Sequence, residues 1–252
     1  LSPLATVLEL AKTQGMATGL VVTSEIMHAT PADFSAHAVS RKNYNDISEQ
    51  QVFQNMNVVL GGGYKFFTPA EREDKQALIG EIKNQGYQLV TNKNQLSAIT
   101  DGKVFGLFAP ADLPYELDRK QDEPALAEMT SKAIQLLAKD KDGFFLMVEG
   151  SKVDWAAHNN APAALTGDIK AFDDAVGMAL NYAKTNKDTL VIVASDHGNG
   201  GISMGNEATN GNYSTLPISA FTDTLKKVKM TEESLAKAIT NNEDQTSNLI
   251  QT

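Results

Sequence analysis

The chain has 252 residues, 42% of them hydrophobic and 21% charged, enough for one large globular domain or two small ones. A formal net charge of −9 with no Lys/Arg cluster argues against nucleic acid as a partner, and the lack of cysteine excludes disulfides, thiolate metal ligands and a cysteine nucleophile. No apolar run approaches the roughly 20 residues of a membrane span, and the N-terminus reads as an amphipathic helix with no signal peptide, as a mature exported chain also would.

In chain order, residues 4–14 have helical period, and Gly15 stands where a C′ glycine would stop the helix. Residues 17–24 (ATGLVVTS) read as a strand. A loop follows, with Pro31 at an expected first helical position and a helix over 33–39 carrying His37 towards Arg41. Residues 46–55 read as a helix and 58–60 as a short strand closed by Gly61, Gly62 and Gly63. That glycine run lacks the Lys-Ser/Thr of a P-loop and is expected to be a tight turn. A helix over 71–85, strands over 87–91 and 103–108, a polar connection over 110–124 and a helix over 124–139 follow. Residues 161–184 form a long helical pattern, 189–194 (TLVIVA) a strand, 216–221 an extended piece and 231–240 a capped helix. Apolar strands alternating with helices predict a mainly parallel sheet between helical layers.

The densest chemistry lies at 143–160, GFFLMVEGSKVDWAAHNN. The apolar run 144–148 suits a strand buried on both faces, and it ends in Glu149. Ser151 is a natural N-cap, so Asp154 and His158 would share one face of the helix it opens. Taken alone, that pair fits a surface ion pair as well as a metal site. Two more polar clusters stand near strand ends: His28 with Thr30, and Asp196 with His197 before a glycine-rich turn. Open parallel sheets bind ligands outside the carboxyl ends of their strands, so the three clusters can converge. Carboxylate, imidazole and hydroxyl without thiol suit zinc and magnesium.

HATPADFSAHAVSR (28–41), MVEGSKVDWAAH (147–158) and SDHGNGG (195–201) together resemble the alkaline phosphatase family. Asp-His-Gly-Asn alone is shared with related phosphomutases; the first two segments are far more specific. The likeness continues through LGGG and LFAPADLPYELDR and covers most of the chain to about Gly205.

The resemblance implies an α/β three-layer sandwich with a mostly parallel central sheet, one domain over 1–252, hydrolysing small phosphomonoesters with two zinc ions and one magnesium ion. His28 and Thr30 match the pair beside the magnesium, and Glu149 matches its carboxylate ligand. Asp154 and His158 match ligands of one zinc, Asp196 and His197 those of the other. Arg41 matches the arginine that grips the phosphate, its fork suited to two oxygens at once. Trp155 matches a position beside the phosphate, and His37 a structural one. A homodimer and a periplasmic or extracellular location are implied on the same ground.

The family's serine nucleophile stands in an Asp-Ser-Ala-type motif, and its last zinc histidine in a His-Thr-Gly-like motif; neither motif is found here. The chain is therefore expected to be the central part of such a protein, cut at both ends and inactive by itself. The rival readings are another metallo-phosphohydrolase or phosphomutase of the superfamily, or a non-catalytic metal- and phosphate-binding core.

Overall fold

Ala17–Glu25 (β1) is apolar on both faces, and its Leu20, Val21 and Val22 are fully buried. A strand of that kind needs a neighbour on each edge and a helical layer on each face. The computed structural model, which describes residues 2–199 and 201–241, supplies both. The chain forms two compact units. The first comprises Leu1–Leu113, Lys120–Ser151 and Ala171–Val193; the second comprises Pro114–Arg119, Lys152–Lys170 and Ala194–Thr252.

In the first unit, β1 pairs in parallel with Val58–Gly62 (β2) on one edge and with Phe144–Glu149 (β5) on the other. Gln88–Val90 (β3) and Val104–Leu107 (β4) extend the sheet beyond β2, giving the order β3-β4-β2-β1-β5 among the described residues. Alternate residues serve opposite layers. Leu20, Val22, Val59, Phe105 and Met147 pack with residues of Val7–Thr13 (α1), Ala29–Ser35 (α2), Tyr44–Phe53 (α3) and Leu78–Asn84 (α4). Ala17, Val21, Val58, Leu60 and Val104 pack with residues of Lys93–Ala98 (α5) and Leu126–Leu137 (α6). This is the expected parallel sheet between helical layers.

The second unit holds Lys152–His158 (α7), the beginning of Pro162–Thr185 (α8), Glu207–Asn210 (α9), Ser219–Thr222 (α10) and Glu232–Asn241 (α11). Its small core gathers Tyr115, Ala156, Ala161 and Ala164, with Trp155 and Leu165 packed against them. No helix among the described residues is long and apolar enough to cross a membrane.

Five local expectations change. The helix expected over 33–39 is α2, which ends at Ser35, and Ala36 is extended. The reason lies in Gln50, whose side-chain amide accepts the His37 N–H at 2.8 Å and donates to the His37 carbonyl at 3.0 Å, drawing that backbone out of the helix. The helix expected over 71–85 begins only at Leu78. Before it, buried Arg72 organises a loop, donating to Ser48 Oγ at 2.6 Å and to the carbonyls of Phe66 and Asn45 at 3.3 and 3.2 Å. Gly61 and Gly62 lie inside β2 rather than in a turn; a Cβ on Gly62 would stand 2.1 Å from the Ala111 carbonyl oxygen.

The strand expected over 189–194 lies outside any regular element, with Leu190 and Ile192 82% and 78% exposed. An apolar pattern supplies side chains for a strand, but a strand also needs a paired edge. The expected piece over 216–221 ends in α10.

Candidate functional site

The first group of expected ligands belongs to the first unit. The sheet reverses its strand order at β1, where β2 lies to one side and β5 to the other, so the carboxyl edge there is the natural binding crevice. Val22 of β1 is in register with Glu149, the last residue of β5. The chain leaves β1 and enters α2 with His28 at the N-cap position and Thr30 in the first turn. Arg41 returns to this place, its Nη2 donating to His28 Nε2 at 3.0 Å. A guanidinium only donates, so this ring nitrogen accepts, and the imidazole proton belongs on Nδ1. Ser151, expected as a helix cap, accepts the Ser24 N–H at 3.1 Å and so ties the exit of β5 to β1.

The second group belongs to the second unit. The i,i+4 spacing in α7 puts His158 Nε2 3.6 Å from Asp154 Oδ1. His197 Nε2 lies 3.9 Å from the same oxygen and 3.3 Å from Asp196 Oδ2. The Asn199 amide donates to Asp154 Oδ1 at 3.1 Å and to the Asp154 carbonyl at 3.4 Å. One carboxylate thus gathers two imidazoles and an amide.

Whether these residues suit a metal follows from their donor atoms. Among the described residues, no three His, Asp or Glu side chains form a group able to hold an ion. The donors come in pairs. Asp154 with His158, and Asp196 with His197, each set a carboxylate oxygen and an imidazole nitrogen 3.6 and 3.3 Å apart. Two ligands about 2.0–2.1 Å from one tetrahedral zinc stand roughly 3.3 Å from each other. Carboxylate and imidazole are donor types that zinc accepts, but each pair supplies two where a catalytic zinc keeps three protein ligands, and the same distances belong to ordinary ion pairs.

Beside them, Lys152 is 2% exposed, with Nζ 4.3 Å from the Trp155 ring centroid and 4.6 Å from that of Tyr115. Burial pushes the Tyr115 phenol up to about 12, and its oxygen accepts the Asn159 amide at 3.1 Å. Burial also pushes the Asp168 carboxyl up to about 7, against the opposing effects of the Glu116 N–H, 3.2 Å from Asp168 Oδ2, and the Lys152 charge.

Sequence reasoning assigned no role to Asn199, Lys152 or Tyr115. Asn199 sits in the quoted Asp-His-Gly-Asn string, and Lys152 lies one helical turn before Trp155, which are the signals that could have found them. His37 is exposed, and its Nε2 lies 2.9 Å from Glu9 Oε1.

The alkaline phosphatase family model matches residues 2–250. Alkaline phosphatase 3 of Bacillus subtilis (strain 168) is 43% identical over 245 residues, covering 95% of this chain and 50% of that protein. A crystal structure of a cold-active alkaline phosphatase from a psychrophilic Shewanella superposes with a TM-score of 0.85 at 37% identity, over 99% of this chain and 58% of that one. An alkaline phosphatase mutant from the Antarctic bacterium TAB5, solved with Mg bound, superposes with a TM-score of 0.66 at 35% identity, over 71% of this chain and 51% of that one. The chain spans about half the length of the curated relatives it matches.

Proposed function

Because the chain belongs to the alkaline phosphatase family, we propose that it serves zinc- and magnesium-dependent hydrolysis of small phosphate monoesters through a serine nucleophile. The observation that carries this reading is the gathering on Asp154, where His158 and His197 present Nε2 atoms 3.6 and 3.9 Å from one carboxylate oxygen.

Asp154 and His158 would hold one zinc, and Asp196 and His197 the other. Glu149, Thr30 and His28 would serve the magnesium; that a relative binds this ion is supported by the TAB5 mutant solved with Mg bound. When bound, the metals supply Lewis-acid stabilisation of the attacking and leaving oxygens of an in-line displacement.

The chain's own residues do the rest. Arg41 offers a planar fork that binds two phosphate oxygens at once, and the His28 acceptor restricts where that fork points. Asn199 holds the Asp154 carboxylate in one orientation. Trp155 would stand beside the phosphate. The same proposal extends to a homodimer and a periplasmic or extracellular location.

A second reading has an observation in its favour. Donors that come in pairs rather than threes suit a metal- and phosphate-binding core without turnover. Zinc and magnesium titration alongside p-nitrophenyl phosphate turnover separates the two. Turnover that needs both metals and vanishes in Asp154→Ala supports the phosphatase. Metal and phosphate binding without turnover supports the core, and absence of metal binding sinks both.

A further inference from the structure

We propose that Lys152 is a positioning residue, its buried ammonium clamped between the Tyr115 and Trp155 rings so that it sets the indole beside the Asp154–His158 pair. This rests on the reading of Trp155 as a phosphate-lining residue.

A lysine at 2% exposure needs a reason, since an ammonium taken out of water is costly unless other groups compensate it. Lys152 and Trp155 are i,i+3 neighbours on α7, so their side chains meet on one face. Nζ stands 4.3 Å from one ring centroid and 4.6 Å from the other, inside the range in which a cation is attracted to an aromatic face.

The far side of the clamp is anchored. Tyr115 is 3% exposed and its oxygen accepts the Asn159 amide. The backbone beside it is held by Asp168 Oδ2, which accepts the Glu116 N–H at 3.2 Å. The Asp168 carboxylate also attracts the ammonium. The restraint therefore runs from Asp168 through Tyr115 and Lys152 to Trp155, which remains partly exposed. A cation on the face of an indole also draws electron density from the ring. That strengthens its N–H as a donor and suits the edge to an anion.

The chain contains a single tryptophan, so its fluorescence reports on position 155 alone. The test compares Lys152→Gln and Lys152→Met, which remove the charge, with Lys152→Arg, which keeps it. Trp155 emission is read first without metal. Inorganic phosphate is then titrated into protein loaded with zinc and magnesium, with circular dichroism as the check on folding.

The expected result is a shifted emission and phosphate binding roughly threefold to tenfold weaker in the neutral variants, with both restored by arginine. Emission unchanged in a folded neutral variant overturns the proposal. So does equal loss in the arginine variant, or failure of both neutral variants to fold, which would make Lys152 merely structural. If wild-type emission is insensitive to phosphate while the neutral variants still shift it, the phosphate reading of Trp155 is what fails, and the positioning role for the reaction falls with it.

Discussion

The Arg41 guanidinium donates through Nη2 to Nε2 of His28 at 3.0 Å, joining the residue at the N-cap of α2 to one thirteen positions later in the chain. A long, mobile side chain is thereby given a fixed acceptor. His28→Ala should free it and weaken phosphate binding by about tenfold, as the loss of one hydrogen bond to a charged group implies. Arg41→Lys should do at least as much, because an ammonium cannot reproduce the two-pronged contact. Isothermal titration with inorganic phosphate measures both, and unchanged affinity in His28→Ala would dismiss the acceptor's role.

Asn199 reaches Asp154 from forty-five residues away. If Asp154 is a metal ligand, Asn199→Leu should leave the ligand present but unoriented and reduce zinc affinity about 10- to 100-fold. Competition with a chelating dye gives the affinity, and a value equal to wild type would count against the arrangement.

Asp168 makes stability depend on pH in a direction opposite to most carboxylates. Its folded value of about 7 lies above the ordinary 3.8, so the fold disfavours the charged form. Below about pH 4 both states are protonated and there is no effect. Between about 4 and 7 the unfolded chain ionises first, and stability falls as pH rises. Above 7 the penalty is complete, on the order of a few kcal/mol. Asp168→Asn keeps an acceptor for the Glu116 N–H and should raise Tm at pH 8, with the gain shrinking towards pH 5. Equal gains at both values would refute the linkage.

Arg72 is 1% exposed and replaces a predicted helical turn with a hydrogen-bonded loop. Arg72→Met keeps most of the volume but strips the Ser48 hydroxyl and the Asn45 and Phe66 carbonyls of their donor. The expected cost is about 3 kcal/mol or more, a fall in Tm of roughly 6–12 °C. Thermal unfolding followed by circular dichroism is the measurement.

Asp118 accepts the Thr231 N–H at 2.9 Å and the Ser234 hydroxyl at 2.7 Å, and also bonds the Thr231 hydroxyl, fastening the start of α11. Asp118→Ala should cost about 1–2 kcal/mol and show first as faster amide exchange over 232–241. Uniform exchange changes across the chain would contradict a local clasp.

Much of this was legible in the residues. Strands β1, β2 and β4 announce themselves as apolar runs because both of their faces are buried, whereas β5, expected to be buried on both faces, buries only Met147; each of the four lies within about two residues of its expected ends. The i,i+4 pair Asp154–His158 was equally readable, since helical spacing alone makes the two neighbours. The misread segments depend on distant groups. Gln50 ends α2 by bonding the His37 backbone, and Arg72 delays α4 by binding Ser48. The run 189–194 has a strand's side chains without a paired edge.

By itself, the sequence determined the class of sheet, the kinds of donor atoms and the family, because periodicity, residue chemistry and motif order are properties of neighbouring residues. Only the tertiary structure decided that Arg41 rests on His28, that Asn199 holds Asp154 and that Lys152 lies between two rings. Each of these is a contact whose existence depends on the path of the chain between its partners or on which face of a helix is buried, and neither is written in local spacing.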